Sequence, residues 1–444
     1  LPDTAVRLRL PHPFVLLLVG VAVAALLTWI IPAGSYQRRP DAALGRDVVI
    51  AGTYATMAAT PVSLPAAVMA VPRGIASGID VILTVFFVGG AFALLDASGA
   101  LGRLVSGLVG RTRNPRLIVA VICVAFATLG ALENMQEEII ALVPVLLVLS
   151  AGLGFGALTA LSMSVGAAAV GSAFGPTNPF QTGIALKFAE LPAMSQPVLR
   201  VSMLVVAVAL WVMWTLFMTT RDDVRPAPGP AASTPPSKRD ALLLLIALVP
   251  FIPYVYGVLR HDWGFHELSA LFVVAGFAIG LASGMSLDQT AAAFLKGMEG
   301  LLAAGLYVGI ARSISVVLAD GHILDTIVYG LALPMNHAPR AGAALLMVPV
   351  QALLHIPVVS VSGQAALTMP IMAPLCDLLG IGRDAAVIAF QTGAGLMDVL
   401  VPTNGAMLAM LATAGVSYGR WMRHVVPGML LVAVVGLVGL LAAL

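Results

Sequence analysis

The sequence predicts an all-α polytopic membrane protein made of two inverted-topology repeats, each holding a re-entrant helical hairpin and a broken transmembrane helix. Three observations carry that prediction: an apolar composition, apolar runs of membrane-crossing length, and Pro, Gly and polar residues repeated at a fixed offset.

Of 444 residues, 60% are hydrophobic and 10% charged, against roughly a quarter charged in an average soluble domain. Such a chain cannot maintain a water-facing surface, so lipid is its solvent. A net charge of +2 gives no footprint for nucleic acid or an acidic partner. Cys123 and Cys376 sit inside apolar runs, which suits buried free thiols better than a disulfide or a metal site. Arg7 and Arg9 precede the first apolar run as they would in a signal peptide. No small-residue cleavage site follows closely after Pro32-Ala33-Gly34, however, and further apolar runs come downstream.

Runs long enough to cross a hydrocarbon core, about 20 residues each, occupy 13–33, 79–96, 157–190, 199–220, 241–258, 267–285, 300–318, 385–415 and 425–444. Two pairs of shorter arms, 117–132 with 138–151 and 341–357 with 363–378, read as hairpins that enter and leave on one side. With the N-terminus inside, the inner segments carry thirteen Lys and Arg and the outer segments seven. The positive-inside rule therefore predicts a bacterial inner (plasma) membrane protein with a cytoplasmic N-terminus and a periplasmic C-terminus. Counting each hairpin as two spans leaves the later loops on the same sides, so re-entrance rests on other grounds.

Residues 221–240, rich in Pro and charge, read as a cytoplasmic linker. It separates a first repeat, 1–220 (hairpin 117–151, broken helix 157–190), from 241–444, a connecting helix and a second repeat (hairpin 341–378, broken helix 385–415). Stretches 64–78 and 287–299 read as amphipathic helices, each ahead of a span in its own half. A shift of 226 carries Pro144 to Pro370, Gly154 to Gly380, Gly156 to Gly382, and Pro176-Thr177-Asn178 to Pro402-Thr403-Asn404. Apolar helices align Leu and Val by chance, but not Pro, Gly and a polar triplet in register. The extra span 241–258 turns the second half over, the arrangement of many secondary transporters.

Proline inside a helix removes a donor and clashes one turn back, so both triplets predict breaks at membrane depth. Freed backbone groups, with Thr177, Asn178, Thr403 and Asn404, then form a place for ions and polar substrates, and sodium is expected near Asn178 and Asn404. The competing reading is a pair of simple proline kinks. The hairpin tips supply opposite walls: Glu133, Asn134, Glu137 and Glu138 in the first, Ser360, Ser362, Gly363 and Gln364 in the second. A carboxylate at membrane depth costs about 2.5 to 3.5 kcal/mol on insertion scales, so these glutamates need a cation, a proton or Arg. If 117–132 simply crosses the bilayer, they lie in water instead. Asp398 and Arg312 also fall deep in predicted spans. Asp398 is a candidate for sodium, a proton or a substrate amine, with a structural ion pair as the alternative. Arg312 is a candidate anion clamp or a counter-ion. His355 reads as a hydrogen-bonded helix residue rather than a relay.

Pro11-His12-Pro13-Phe14, Ile31-Pro32-Ala33-Gly34-Ser35-Tyr36, Glu137-Glu138, Asn178-Pro179-Phe180, Ala311-Arg312, Pro402-Thr403 and the run from Ser362-Gly363-Gln364 to Met369-Pro370 resemble the YfcC-like carriers. These are grouped with DcuC-type anaerobic C4-dicarboxylate carriers in the ion transporter superfamily. The resemblance implies an elevator-type transporter, not an enzyme. It would be a homodimer with a small-molecule substrate in a lipid bilayer, without a cofactor, and energised by sodium or proton as coupling ion. Related dicarboxylate carriers often carry Ser-Asn-Thr at the tips; here the first tip is acidic. The substrate is then a C4-dicarboxylate or an amino acid, with basic amino acid exchange (arginine/ornithine type) as the alternative. Two other classes remain: an ion channel, and an intramembrane hydrolase with Ser362 as nucleophile and His355 or His424 as base.

Overall fold

The structure is a computed structural model and describes residues 12–41, 46–111, 113–219, 235–261 and 263–444. After α1 (Pro13–Ile30) come four short strands, β1 (Gly34–Ser35), β2 (Arg38–Asp41), β3 (Arg46–Val49) and β4 (Ala55–Thr56). They pair antiparallel as β1 with β4 and β2 with β3. This corrects the all-α expectation. Residues 34–56 have no apolar face long enough for a helix, and polar contacts tie the ribbons down: Tyr36 N–H and Arg38 each bond Asp325 at 2.8 Å.

Everything else regular is helical. The first half continues with α2 (Leu64–Ser77), α3 (Ile79–Ala97), α4 (Ala100–Arg111), α5 (Pro115–Glu133) and α6 (Ile139–Gly152). The first broken helix follows as α7 (Ala157–Leu161), a π-turn (Ser162–Gly166), α8 (Ala167–Phe174), a break at 175–178, a second π-turn (Pro179–Gly183) and α9 (Ile184–Phe188). Then comes α10 (Pro197–Met218). The linker expected at 221–240 lies outside the described residues apart from its end. There Ser237 and Asp240 form the capping box that opens α11 (Lys238–Leu248), and Asp240 pairs with Arg103 of α4 at 2.7 Å.

The second half comprises α12 (Phe251–His261), α13 (Phe265–Ala282), α14 (Leu287–Glu299), α15 (Leu302–Asp320), α16 (Leu324–Ala332), α17 (Arg340–His355) and α18 (Val361–Leu378). Its broken helix is α19 (Arg383–Phe390), a π-turn (Gln391–Gly395), an irregular stretch to Asn404, and α20 (Gly405–Thr413); α21 (Tyr418–Ala442) ends the chain. Among the described residues nine helical segments are long and apolar enough to cross a membrane. Pro115–Glu133 is one of them, where the sequence predicts only a hairpin arm. The stretch 385–415 is not, because its irregular stretch is the longer of the two.

The residues matched by the shift of 226 occupy matching backbone positions. Gly154 (φ +86°) and Gly380 (φ +65°) both end a helix in the left-handed region, where a Cβ would be strained. Each is followed by the same 2.8 Å bond, Phe155 N–H to Ser150 C=O and Ile381 N–H to Cys376 C=O. Packing repeats too, and it is exchanged between halves. Helix α2 packs on α15 while α14 packs on α3, and α6 packs on α20 while α18 packs on α9.

The two broken helices meet directly. Gln391 donates to Ala173 C=O (2.9 Å) and Thr182 Oγ1 (2.6 Å), and Thr182 donates to Gly175 C=O (2.5 Å). Carbonyls freed by the first break are thus satisfied by protein, as the absence of water at such depth requires. Beside them the buried Arg200 bonds Asp384 (3.0 Å) and Gln391 (2.6 Å). Removing one partner of a buried ion pair costs about 3–5 kcal/mol. Asp384→Ala is therefore expected to lower the melting temperature in detergent sharply, with Arg200→Met added to it recovering part of the loss.

Candidate functional site

Helix α5 ends at Glu133, and Asn134 turns the chain in the left-handed conformation (φ 62°), a residue type suited to it. The tip then runs through Gln136 to Glu138 before α6 begins. Asn134 Oδ1 accepts from Gln181 Nε2 (2.9 Å) and Asn178 Nδ2 (3.3 Å), which fastens this tip to the first break. Asn178 Nδ2 also donates to Gly130 C=O (2.9 Å), and its Oδ1 accepts the Phe180 and Gln181 N–H groups. The residue is thus the N-cap of the half-helix beyond the break.

Asn404 plays the corresponding part in the second half. Its Oδ1 accepts Met407 N–H (3.1 Å), capping α20, and its Nδ2 donates to the backbone oxygen and Oδ1 of Asp398, both at 2.8 Å. Thr403 Oγ1 donates to Ile356 C=O (2.7 Å), joining the second break to the second hairpin. Ser360 caps α18 by accepting Gly363 N–H (3.2 Å). Behind it, Gln364 bonds Gln351 and His355, and His355 reaches Asp398.

These elements enclose a cavity of about 660 Å³. It brings together Glu133, Asn134, Glu137 and Glu138 from the first tip, Ser360 and Ser362 from the second, and Asp398, Thr403 and Asn404 from the second break. Arg312, near the middle of α15, completes the set; its Nη1 donates to Ser77 C=O at 2.9 Å. No carboxylate among the described residues lies within ion-pairing distance of Arg312. Thr177 is exposed, Gly363 is half-buried, and Asn178 and Gln364 are buried; none of the four lines the cavity. Tyr254 on α12, Trp263 between α12 and α13, and Phe265 at the start of α13 line it as well. Sequence reasoning missed all three: Tyr254 is one aromatic residue in an apolar run, and Trp263 and Phe265 stand in a short polar connection that reads as an ordinary loop.

The lining is electrically two-sided. Arg312 and the N-termini of α18 and α20 present positive potential, while the first tip presents three glutamates and Asp398 adds a carboxyl beside the α20 N-terminus. Glu138 accepts Gln136 N–H at 3.1 Å. Both oxygens of the buried Glu133 and Nε2 of the buried Gln136 have no hydrogen-bond partner. Buried polar atoms without a partner are rare in native structures and mark a strained or functional place. Among the described residues no three Asp, Glu, His or Cys side chains are placed to hold a metal ion together. Both asparagine side-chain oxygens act as helix caps.

The caps make a prediction. Each is worth about 1 kcal/mol to its half-helix, too little to unfold the chain but enough to misplace the break. Asn178→Ala and Asn404→Ala are expected to abolish transport in reconstituted vesicles while the protein still elutes as a folded species. Unchanged uptake in both would remove the breaks from the site.

Comparison with known proteins agrees along the whole chain. The model of a family described as "DcuC: C4-dicarboxylate anaerobic carrier" matches residues 10–444. The chain is 28% identical over 373 residues to the Escherichia coli (strain K12) protein named "Putative basic amino acid antiporter YfcC", covering 78% of this chain and 74% of that one. It is 26% identical over 476 residues to an uncharacterized protein of Haemophilus influenzae, covering 94% and 93%. Among solved structures it is similar to Neisseria gonorrhoeae MtrF (TM-score 0.45, 13% identity, 97% of this chain and 94% of that one). It is also similar to the Alcanivorax borkumensis YdaH transporter (TM-score 0.44, 15% identity, 97% of each).

Proposed function

Because the chain belongs to the DcuC family of C4-dicarboxylate anaerobic carriers, a membrane transporter family, we propose that it is a secondary active transporter whose substrate occupies the cavity between the two tips. The observation that carries the reading is the two-sided lining. A substrate carboxylate meets Arg312, Gln136 Nε2 and the α18 and α20 N-termini, and a substrate cation meets Glu133, Glu137 and Glu138. That favours an amino acid, and a basic one most, in line with the name of the Escherichia coli relative. A C4-dicarboxylate is the second reading, favoured by Arg312 standing opposite two helix N-termini.

Re-entrant hairpins and inverted repeats belong to the same proposal. Its support is that the first tip shares a cavity with the middle of α15, and that the packing of the halves is exchanged pairwise. An elevator movement fits the position of the cavity. One wall comes from α15 and the α12–α13 connection, the other from hairpins and broken helices packed among α10 and α21. The coupling ion is sodium or proton, the working form a homodimer, and the location a bacterial inner membrane with the N-terminus cytoplasmic and the C-terminus periplasmic. For the hydrolase alternative, the two candidate bases are engaged: His355 bonds Gln364 and Asp398, and His424 bonds Ser162 at 2.5 Å.

The test is a thermal-shift panel of arginine, ornithine, neutral amino acids, succinate and fumarate, each with and without sodium, since selective binding stabilises the native state. Counterflow in vesicles follows for any compound that shifts it. Ohmic current in place of saturable counterflow would make the protein a channel.

A further inference from the structure

Asp398 stands in the irregular stretch before α20 and His355 at the C-terminus of α17; Nε2 and Oδ1 are 3.0 Å apart. His355 is 0% exposed and Asp398 7% exposed at the cavity wall. The surrounding hydrogen bonds fix how many protons the pair holds. Gln364 Nε2 donates to the backbone carbonyl of Gln351 (2.7 Å) and to Gln351 Oε1 (2.8 Å). A backbone carbonyl only accepts, so this amide cannot be turned over, and its Oε1 must be the atom 2.8 Å from His355 Nδ1. An oxygen acceptor there requires a hydrogen on Nδ1.

The other side is fixed in the same way. Met407 N–H sets the orientation of the Asn404 amide, so its Nδ2 donates to Asp398 Oδ1. With Nδ1 already protonated, the Nε2 contact has two forms. Either Nε2 carries a second hydrogen and donates to a carboxylate, or Asp398 is a carboxylic acid donating to a bare Nε2. Both forms hold one proton more than a neutral imidazole beside a carboxylate.

We propose that Asp398 and His355 together hold the coupling proton of this carrier, and that this proton fastens the second hairpin to the second break. With it, Gln364 on α18, His355 on α17 and Asp398 form one continuous bonded chain. Without it, a nitrogen lone pair faces a carboxylate oxygen, and the hairpin's hold on the break falls back on the Thr403 to Ile356 hydrogen bond. The proton has a route, because Asp398 lines the cavity. Of the charged and titratable residues on α17 and the elements packed against it, Arg340 bonds Leu444 C=O, Arg383 pairs with Asp377 and Glu190, Asp384 with Arg200, Asp325 with Arg38, and His424 bonds Ser162; α21 also carries Arg420 and Arg423. Glu137 on the first tip is within electrostatic reach of both Asp398 and Arg312, so a cation bound beside Glu137 also changes the field at the pair. The coupling role rests on the carrier reading; the proton count does not.

The experiment has two arms. In the first, ¹⁵N and ¹³C NMR of the ligand-free full-length protein in nanodiscs at pH 7.5 reads the His355 ring nitrogens and the Asp398 carboxyl, assigned through the backbone. The expected result is an imidazolium beside a carboxylate, or Nδ1–H beside a protonated carboxyl. A bare Nε2 beside an ionised Asp398 overturns the proposal, and no variant is needed to see it. In the second arm, vesicles containing a pH-sensitive dye take up arginine or succinate. Wild type is expected to move protons with substrate, and His355→Gln to lower the ratio of protons to substrate at least tenfold. Uptake without proton movement in wild type, or an unchanged ratio in His355→Gln, overturns coupling through this pair. Absence of uptake and counterflow of both probes in wild type overturns the carrier reading instead, while the first arm still decides where the proton sits.

Discussion

Gly171→Ala, the addition of one methyl group, is expected to cost the protein its stable fold in detergent. The new Cβ would stand 1.9 Å from the backbone oxygen of Ala127, and no rotamer relieves a clash with backbone. Reaching ordinary contact at 3.4 Å means parting α5 from α8 by roughly 1.5 Å (3.4 less 1.9). The seam is tight elsewhere too: a Cβ on Gly130 would lie 2.1 Å from Ala168 C=O, and one on Gly175 2.7 Å from Ala131 Cα. Close approach of small residues is what holds membrane helices together. Here it also positions the first tip, because Gly130 C=O accepts from Ser172 (3.0 Å) and Asn178 (2.9 Å). Overpacking typically costs about 1–3 kcal/mol, and a backbone clash stands at the upper end. The check is size-exclusion and thermal unfolding beside Gly330→Ala, whose Cβ meets nothing within 4 Å and which is expected to behave as wild type.

The second large effect is expected on binding. Arg312→Ala removes the one cation among the described residues that line the cavity. Truncating one member of a desolvated charge pair costs about 2–5 kcal/mol, roughly thirty-fold to several thousand-fold in Kd. Arg312→Lys is expected to recover little, since an ammonium lacks the planar fork that can hold Ser77 C=O and a carboxylate together. Stability should fall by at most about 1.5–3 kcal/mol, the worth of the hydrogen bond that the guanidinium donates to Ser77 C=O. Glu137→Gln supplies the contrast. It weakens an arginine or ornithine substrate and strengthens a dicarboxylate, so equilibrium binding of both probes to the two variants identifies which end of the substrate each wall takes.

What the sequence made legible is what carries a backbone signature. The breaks at Pro176 and Pro402 and the Gly154–Gly380 match follow from residues that forbid or favour particular φ values, and the tips from polar residues interrupting apolar runs, so their spacing survives in the fold. Arg312 and Asp398 stood out because charge is rare in an apolar run. The contact between His355 and Asp398 was not legible: it joins residues 43 apart in sequence, and nothing local announces it. The π-turns at Ser162–Gly166, Pro179–Gly183 and Gln391–Gly395 were invisible for a similar reason, since they follow from how one helix fits its neighbours. Thr177 belongs to the same motif as Thr403, yet only Thr403 faces the cavity, because a repeated sequence need not be used identically in two halves.

The exchange of partners between halves has a consequence for how the protein is made. When the ribosome has delivered the chain as far as α10, the face of α2 that will meet α15 and the face of α9 that will meet α18 have nothing to rest on. Contacts of such long sequence separation form slowly, and N-terminal segments emerge first during synthesis. The early helices can pack on one another, as α5 does on α8, but these faces must wait in the bilayer until the last third of the chain arrives. A chain truncated after α10 is accordingly expected to leave those faces of α2 and α9 uncovered.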